Sequence, residues 1–227
     1  QEKGSAVLDG RYSAVIVRDI MERGKQNKTR QINDAVLLRK IMMFLADNIG
    51  NNTSTNSITN TLISEKLVES RPAVQTIGAY VNALTEAFVF YEIQRFDIKG
   101  KEYLKTLGKY YIVDIGLRNY LLGNRGGDSG HILENIIYFE LLKRGYEISV
   151  GKIDNKEIDF IATKTNEKKY IQVTETMTSE ETRLRELAPL TMVRDNYEKL
   201  IITMDKPIIT DVDGIKIVNA LDWLLSE

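Results

Sequence analysis

Apolar residues recur every three to four positions through residues 12–88, and the period then shortens toward two. In Tyr12–Arg23 the residues Val15, Ile16 and Ile20 share a helical face, and Gly24 ends the run before a polar connector, Lys25–Gln31. Asn33 or Asp34 is placed to cap a second helix. Its Ala35, Leu37, Leu38, Ile41, Met42, Phe44, Leu45 and Ile49 are dense enough for a mostly buried helix, which Gly50 stops. After a polar loop, Ser57 can cap a short helix over Ile58–Leu67. Pro72, at a favoured first position, opens another that carries Val74, Ile77, Tyr80, Val81, Leu84 and Phe88.

Val89–Phe96 then reads as a strand and Asp97–Lys101 as a turn. Tyr103–Leu107 and Lys109–Asp114 read as short β pieces separated by Gly108. Helices followed by a β-ribbon have the order of a winged helix-turn-helix. Ile115–Gly123 reads as a linking helix, and the glycine-rich stretch Asn124–Gly130 marks a boundary. Beyond it come helix Ile132–Lys143, strands near Tyr146–Val150, Glu157–Thr163 and Lys169–Thr174, and a helix near Glu180–Val193 interrupted at Pro189. Strands Lys199–Thr203 and Ile215–Asn219 and a final helix complete the chain. That alternation predicts an α/β domain with a central mixed sheet, and α+β overall. The expected divisions are a connecting segment at 1–31, a winged-helix domain at 32–123 and an α/β domain at 124–227.

The 227 residues hold no Cys, which excludes a disulfide framework, a thiolate zinc site and a cysteine nucleophile. His131 is the single histidine, so multi-histidine metal schemes and Ser-His-Asp chemistry are excluded unless His131 itself serves; it reads better as a helix-start residue. No apolar run reaches the roughly 18 residues of a membrane helix, and no signal pattern opens the chain, so a cytoplasmic location is expected. Net charge is −1 but uneven: 18 Lys+Arg face 14 Asp+Glu through Asp128, and 13 face 18 after it. The first part is therefore the better nucleic-acid face.

The chemistry gathers in the second part. A metal-dependent nuclease needs carboxylates converging on Mg²⁺ or Mn²⁺ and a group beside the attacking water. Glu134 lies on a helix, Asp159 on a strand, and Gln172 and Thr174 sit two apart on the next strand, where such an enzyme carries Glu-x-Lys. Alternation places the Asp159 carboxylate opposite Ile158 and Phe160, and antiparallel pairing would bring Asp159 to Gln172. Gln172 offers a neutral oxygen and Thr174 no ammonium, so the site reads as degenerate, with Glu134 and Asp159 left to hold one divalent ion weakly. Lys156, Lys168 and Lys169 are conceivable replacements for the missing lysine. The plain structural alternatives are that Glu134 pairs with Lys143 or Arg144 and that Glu175 is a polar strand end.

For DNA, the helix from Pro72 presents Gln75, Thr76 and Asn82, with Arg71 just before it; these residue types read base edges or phosphates. Lys99, Lys101, Lys105 and Lys109 decorate the expected wing and are placed to meet phosphates.

Several segments together resemble a known group: Tyr12–Ile20, Thr76–Leu84, Tyr110–Arg118, Gly130–Asn135, Glu157–Ala162, Tyr170–Val173, Lys199–Asp205 and Leu221–Leu225. Across residues 10–226 the chain is similar to the C-terminal half of a large prokaryotic group of AAA-like ATPases, in which a nucleotide-binding domain precedes a winged helix and a DUF4143 domain. The resemblance implies a restriction-endonuclease-like, PD-(D/E)xK domain. Glu134, Asp159 and Gln172 then fall on its acidic positions and Thr174 on its lysine position; Gln is common there within the group. It also implies an ATPase domain as partner, with ATP bound only on that absent domain, since no phosphate-loop motif occurs here. The chain begins Gln1-Glu2-Lys3, as expected of a processed or expressed fragment.

Three functions follow as expectations. The leading one is a DNA-associated module with a degenerate nuclease-like domain and no cofactor of its own. The others are a metal-dependent nuclease using Glu134 and Asp159, and a protein-interaction module without nucleic acid. Oligomers are compatible with each.

Overall fold

The structure is a computed structural model that describes residues 15–23, 32–123 and 128–226. Residues 1–14, the connector 24–31, the glycine-rich stretch 124–127 and Glu227 lie outside the described residues. The order is α1 (15–23), α2 (Ala35–Asp47), α3 (Thr55–Ser64), α4 (Val74–Glu86), β1 (Phe90–Asp97), β2 (Glu102–Ile112), α5 (Ile115–Leu122) and α6 (Ser129–Lys143). There follow β3 (Glu147–Ile153), β4 (Lys156–Lys164), β5 (Glu167–Thr174), α7 (Glu180–Thr191), β6 (Glu198–Thr203), β7 (Asp211–Val212), β8 (Ile215–Asn219) and α8 (Ala220–Leu225). This is a mixed α/β chain of two compact units. The first takes in the chain up to Glu92 and from Tyr110 to Gly126; the second takes in Ile93–Lys109 and everything from Gly127.

In the first unit, Leu38, Ile41, Met42 and Leu45 of α2 meet Ile58 and Leu62 of α3, Ile77 and Leu84 of α4, and Leu117 and Leu121 of α5 in one buried core. The capping positions are local chemistry. The Asp34 carboxylate accepts the Val36 and Leu37 N–H groups, both at 2.9 Å, which satisfies donors that the first helical turn otherwise leaves free. Ser54, not Ser57, caps α3; Ser57 is the reciprocal partner in a capping box, so the helix starts earlier than its apolar run suggests. Likewise α4 starts at Val74 with Ala73 as cap, one turn's edge later than Pro72 suggests. The Arg118 guanidinium donates to the Ala46 carbonyl at 2.9 Å and ties α5 to α2.

Among the described residues, eight strands form one sheet in the order β2-β1-β3-β4-β5-β6-β8-β7. β1 and β3 are parallel, β3–β4–β5 antiparallel, and β5, β6 and β8 parallel, so the sheet is mixed. β2 is a single strand, not two pieces broken at Gly108. Its first half is exposed and its last five residues, Gly108–Ile112, are buried.

The β3–β4 pairing slips by one residue. Ser149 pairs with Ile161 and Gly151 with Ile158, so β4 carries one extra residue at 159–160, a bulge. Five successive β4 residues, Ile158–Ala162, are consequently buried. Ile158 and Ile161 both join the core beneath α7, whereas the Phe160 ring stands 6.2 Å from Tyr138 of α6. The expectation that Ile158 and Phe160 share a face therefore fails, because the bulge interrupts the two-residue period. Gly151 permits it: a Cβ there would stand 3.0 Å from the Ile158 Cβ and 3.1 Å from Ile161.

Candidate functional site

The inward half of β2 carries Lys109 into the interior of the second unit, where only 3% of it remains exposed. Its ammonium donates to Glu134 Oε1 at 2.9 Å and Asp159 Oδ1 at 3.3 Å, and lies 3.0 Å from Glu157 Oε1. Glu134 comes from α6 between the buried Leu133 and Asn135; Glu157 and Asp159 are two apart in β4. The cluster is thus assembled from three elements of the second unit, and the bulge sits at one of its corners.

Asp159 is held by the backbone as well as by the ammonium. Its Oδ2 accepts the Val173 N–H at 2.9 Å, and its own N–H donates to Gln172 Oε1 at 3.3 Å. Burial, then the Glu134 charge, pushes its carboxyl up to about 6, against the opposing pull of Lys109 and the Val173 N–H. Burial works against the charged Lys109, but Glu134, Asp159 and Glu157 outweigh it and hold the ammonium above the ordinary lysine range. Arg95 reaches toward Glu157, Nε to Oε2 at 3.8 Å, and that Nε is a buried donor without a hydrogen-bond partner among the described residues. Two cations therefore face three carboxylates, and a proton on Asp159 would balance the group.

The ammonium stands among the oxygens where a divalent ion would have to bind, and such an ion requires oxygens at roughly 2.0–2.6 Å. Among the described residues, no group of three or more His, Cys, Asp or Glu side chains is arranged to hold a metal. The geometry fixes α6, β2 and β4 together through one buried ammonium.

The structure brings Glu134, Asp159 and Gln172 together. Thr174 is turned to other use, its hydroxyl donating to the Thr176 carbonyl at 3.2 Å. Lys109 is no phosphate contact on an exposed wing: it is buried and ion-paired, because the strand turns inward at Gly108. Nor does Glu134 pair with Lys143 or Arg144, which both bind Glu140. Lys169 pairs with Glu198 at 2.9 Å, and Lys168 lies 4.8 Å over the Tyr170 ring. Glu175 accepts from Ser129 at 2.6 Å.

Gln75, Thr76 and Asn82 are exposed on α4, in the first unit, and Arg71 donates to Asn60 at 3.0 Å. Lys99, Lys101 and Lys105 are exposed in the second unit, Lys99 bound to Asp154 at 2.7 Å. The expected DNA-contacting set is thus divided between the two units. Glu157 and the role of Lys109 were missed from sequence. The available signal was the apolar run Tyr110-Tyr-Ile-Val directly after Lys109, which marks a strand entering a core.

Residues 1–128 match the family described as a domain of unknown function, DUF8612. The chain belongs to this family. It is also similar to an uncharacterized protein of Haemophilus influenzae, 41% identical over 219 residues, covering 96% of this chain and 52% of that protein. A second uncharacterized relative, from Methanocaldococcus jannaschii, is 29% identical over 233 residues, covering 96% of this chain and 49% of that protein. The chain spans about half the length of the curated relatives it matches. No solved structure matches. This DUF8612 membership overturns the resemblance to the DUF4143-bearing AAA-like ATPases: the matching family is a different one, and neither relative is described as an ATPase. The expectation of an ATPase partner, with ATP bound on it, rested on that resemblance and loses its support. Among the described residues, no helix is long and apolar enough to cross a membrane.

Proposed function

We propose that this chain is a DNA-associated protein whose second unit keeps the frame of a PD-(D/E)xK nuclease with its metal position filled by its own lysine. The observation that carries this reading is Lys109 Nζ within 3.3 Å of Glu134, Glu157 and Asp159. An ammonium so held neutralises the carboxylates that would otherwise attract Mg²⁺ or Mn²⁺, and Gln172 adds no charge. The order helix, three strands, helix, strand from α6 to β6 agrees with that frame. The helices α2–α4 followed by the β1–β2 ribbon agree with a winged helix, whose α4 would present Gln75, Thr76 and Asn82 to base edges. Lys99, Lys101 and Lys105 would meet phosphates.

A metal-dependent nuclease is the second reading, and one observation favours it: Lys109 supplies, from another strand, the ammonium that Thr174 lacks. The deciding experiment incubates the chain with single- and double-stranded DNA in Mg²⁺ or Mn²⁺, beside Asp159→Ala. The first reading expects no products and a gel shift that weakens steeply with salt. Metal-dependent products lost in Asp159→Ala would establish the second. A gel shift absent at low salt would overturn DNA association.

A further inference from the structure

We propose that the cleft beside the loop Met204–Thr210 is a docking site for an acidic, apolar segment of a partner protein. The loop follows β6 and is pinned at both ends. Asn219 Nδ2 donates to the Met204 and Asp205 carbonyls, each at 3.0 Å. The Asp205 carboxylate accepts the Met177 N–H at 2.6 Å and the Thr176 hydroxyl at 3.0 Å. At the far end the Ile217 N–H donates to the Thr210 carbonyl at 2.9 Å. Between these anchors Pro207 restricts the backbone, and Ile208 is 99% exposed, with Ile209 beside it half exposed.

A tethered loop that holds two isoleucines in water is already ordered for contact, so a partner loses little conformational freedom in meeting it. The adjoining cleft encloses about 450 Å³ and is lined by Met177, Ile208, Ile209 and Ile217 with Arg183 and Lys206. Asp205, the acid in that lining, is already bound to Thr176 and Met177. Arg183 and Lys206 bring two positive charges to that lining against the one carboxylate of Asp205, whose partners are uncharged. The uncompensated charge is positive, and its complement is a carboxylate carried next to apolar side chains.

The occupant reaches beyond a small acid, because Ile208, at the rim of the cleft, is still almost wholly in water. A second copy docked through this face about a two-fold axis would set Arg183 and Lys206 against themselves. Bare nucleic acid would leave the isoleucines uncovered.

The test uses the intact chain and three short fluorescein-labelled peptides of alternating Leu and Glu, Leu and Lys, or Ser and Glu, read by anisotropy. The Leu/Glu peptide is expected to bind at least about tenfold tighter than the others. Arg183→Glu combined with Lys206→Glu should switch the preference to Leu/Lys, a gain that misfolding cannot produce. Ile208→Ser, which alters a fully exposed side chain, should weaken Leu/Glu binding about tenfold with an unchanged circular dichroism spectrum. Equal binding of the three peptides, or binding indifferent to these variants, would overturn the proposal. So would a sedimenting dimer that Ile208→Ser dissociates, since the face would then belong to a second copy.

Discussion

Lys109 is surrounded by carboxylates that cannot do without it. Removing one partner of a buried ion pair leaves uncompensated charge in a poorly hydrated interior, at a cost of about 3–5 kcal/mol. Lys109→Met should therefore lose about that much stability in urea unfolding. It also vacates the space among Glu134, Glu157 and Asp159, so Mn²⁺ should raise the melting temperature of Lys109→Met and leave the wild type unmoved. A variant indifferent to both urea and Mn²⁺ would mean the cluster is neither a stabilising network nor a filled metal position. Asp159 gives a separate handle. Its folded carboxyl titrates at about 6, against about 3.9 for a free aspartate. Between those values the folded state keeps a proton that the unfolded state has released, so this group's contribution to stability falls as pH rises from about 4 to about 6. Two units correspond to at most roughly 3 kcal/mol. Stability of the wild type minus that of Asp159→Asn should decline across that window; a difference that is flat or rises with pH would refute the assignment. Sequence reasoning could name Glu134, Asp159 and Gln172 because residue type and strand spacing are local. It could not place Lys109, whose partners lie 25 and 50 residues away.

At the scale of elements, the β4 bulge shows where periodicity stops being informative. The helices α2 and α4 and the strands β5, β6 and β8 were legible to within a few residues, because one buried face imposes one period. The bulge was not, since five adjacent buried positions look like a fully buried strand. Only Gly151, opposite, hints at it, as a site where side chains from the neighbouring strand close over the backbone. Gly151→Val should push against Ile158 and Ile161 and cost about 1–3 kcal/mol by overpacking. Because the slipped residues include Asp159, the same variant should shift the Asp159 carboxyl resonance in its pH titration. A variant as stable as the wild type would show that β3 yields easily there. β7 escaped notice for a simpler reason: two residues carry no period.

The molecule as a whole is divided unevenly along its chain. The glycine-rich stretch reads in the sequence as the start of an α/β domain at 124–227, but that piece lacks 93–109, and with it the parallel partner of β3 and the ammonium of the buried cluster. A fragment 129–227 should therefore show no cooperative unfolding transition by circular dichroism, whereas the intact chain should. A cooperative fragment would mean that the ribbon is dispensable. The discontinuity also has a meaning in time. Lys109 is synthesised before each of its partners, with Asp159 following 50 residues later, and ribosomes add roughly 5–20 residues per second. For about 1–5 s, until Glu134 is made 25 residues on, the nascent ribbon carries a lysine destined for burial with none of its partners yet made, and the set is complete only after about 3–10 s. The second unit cannot close vectorially as it emerges; it must keep an early segment waiting, solvated and unpaired, for a late one.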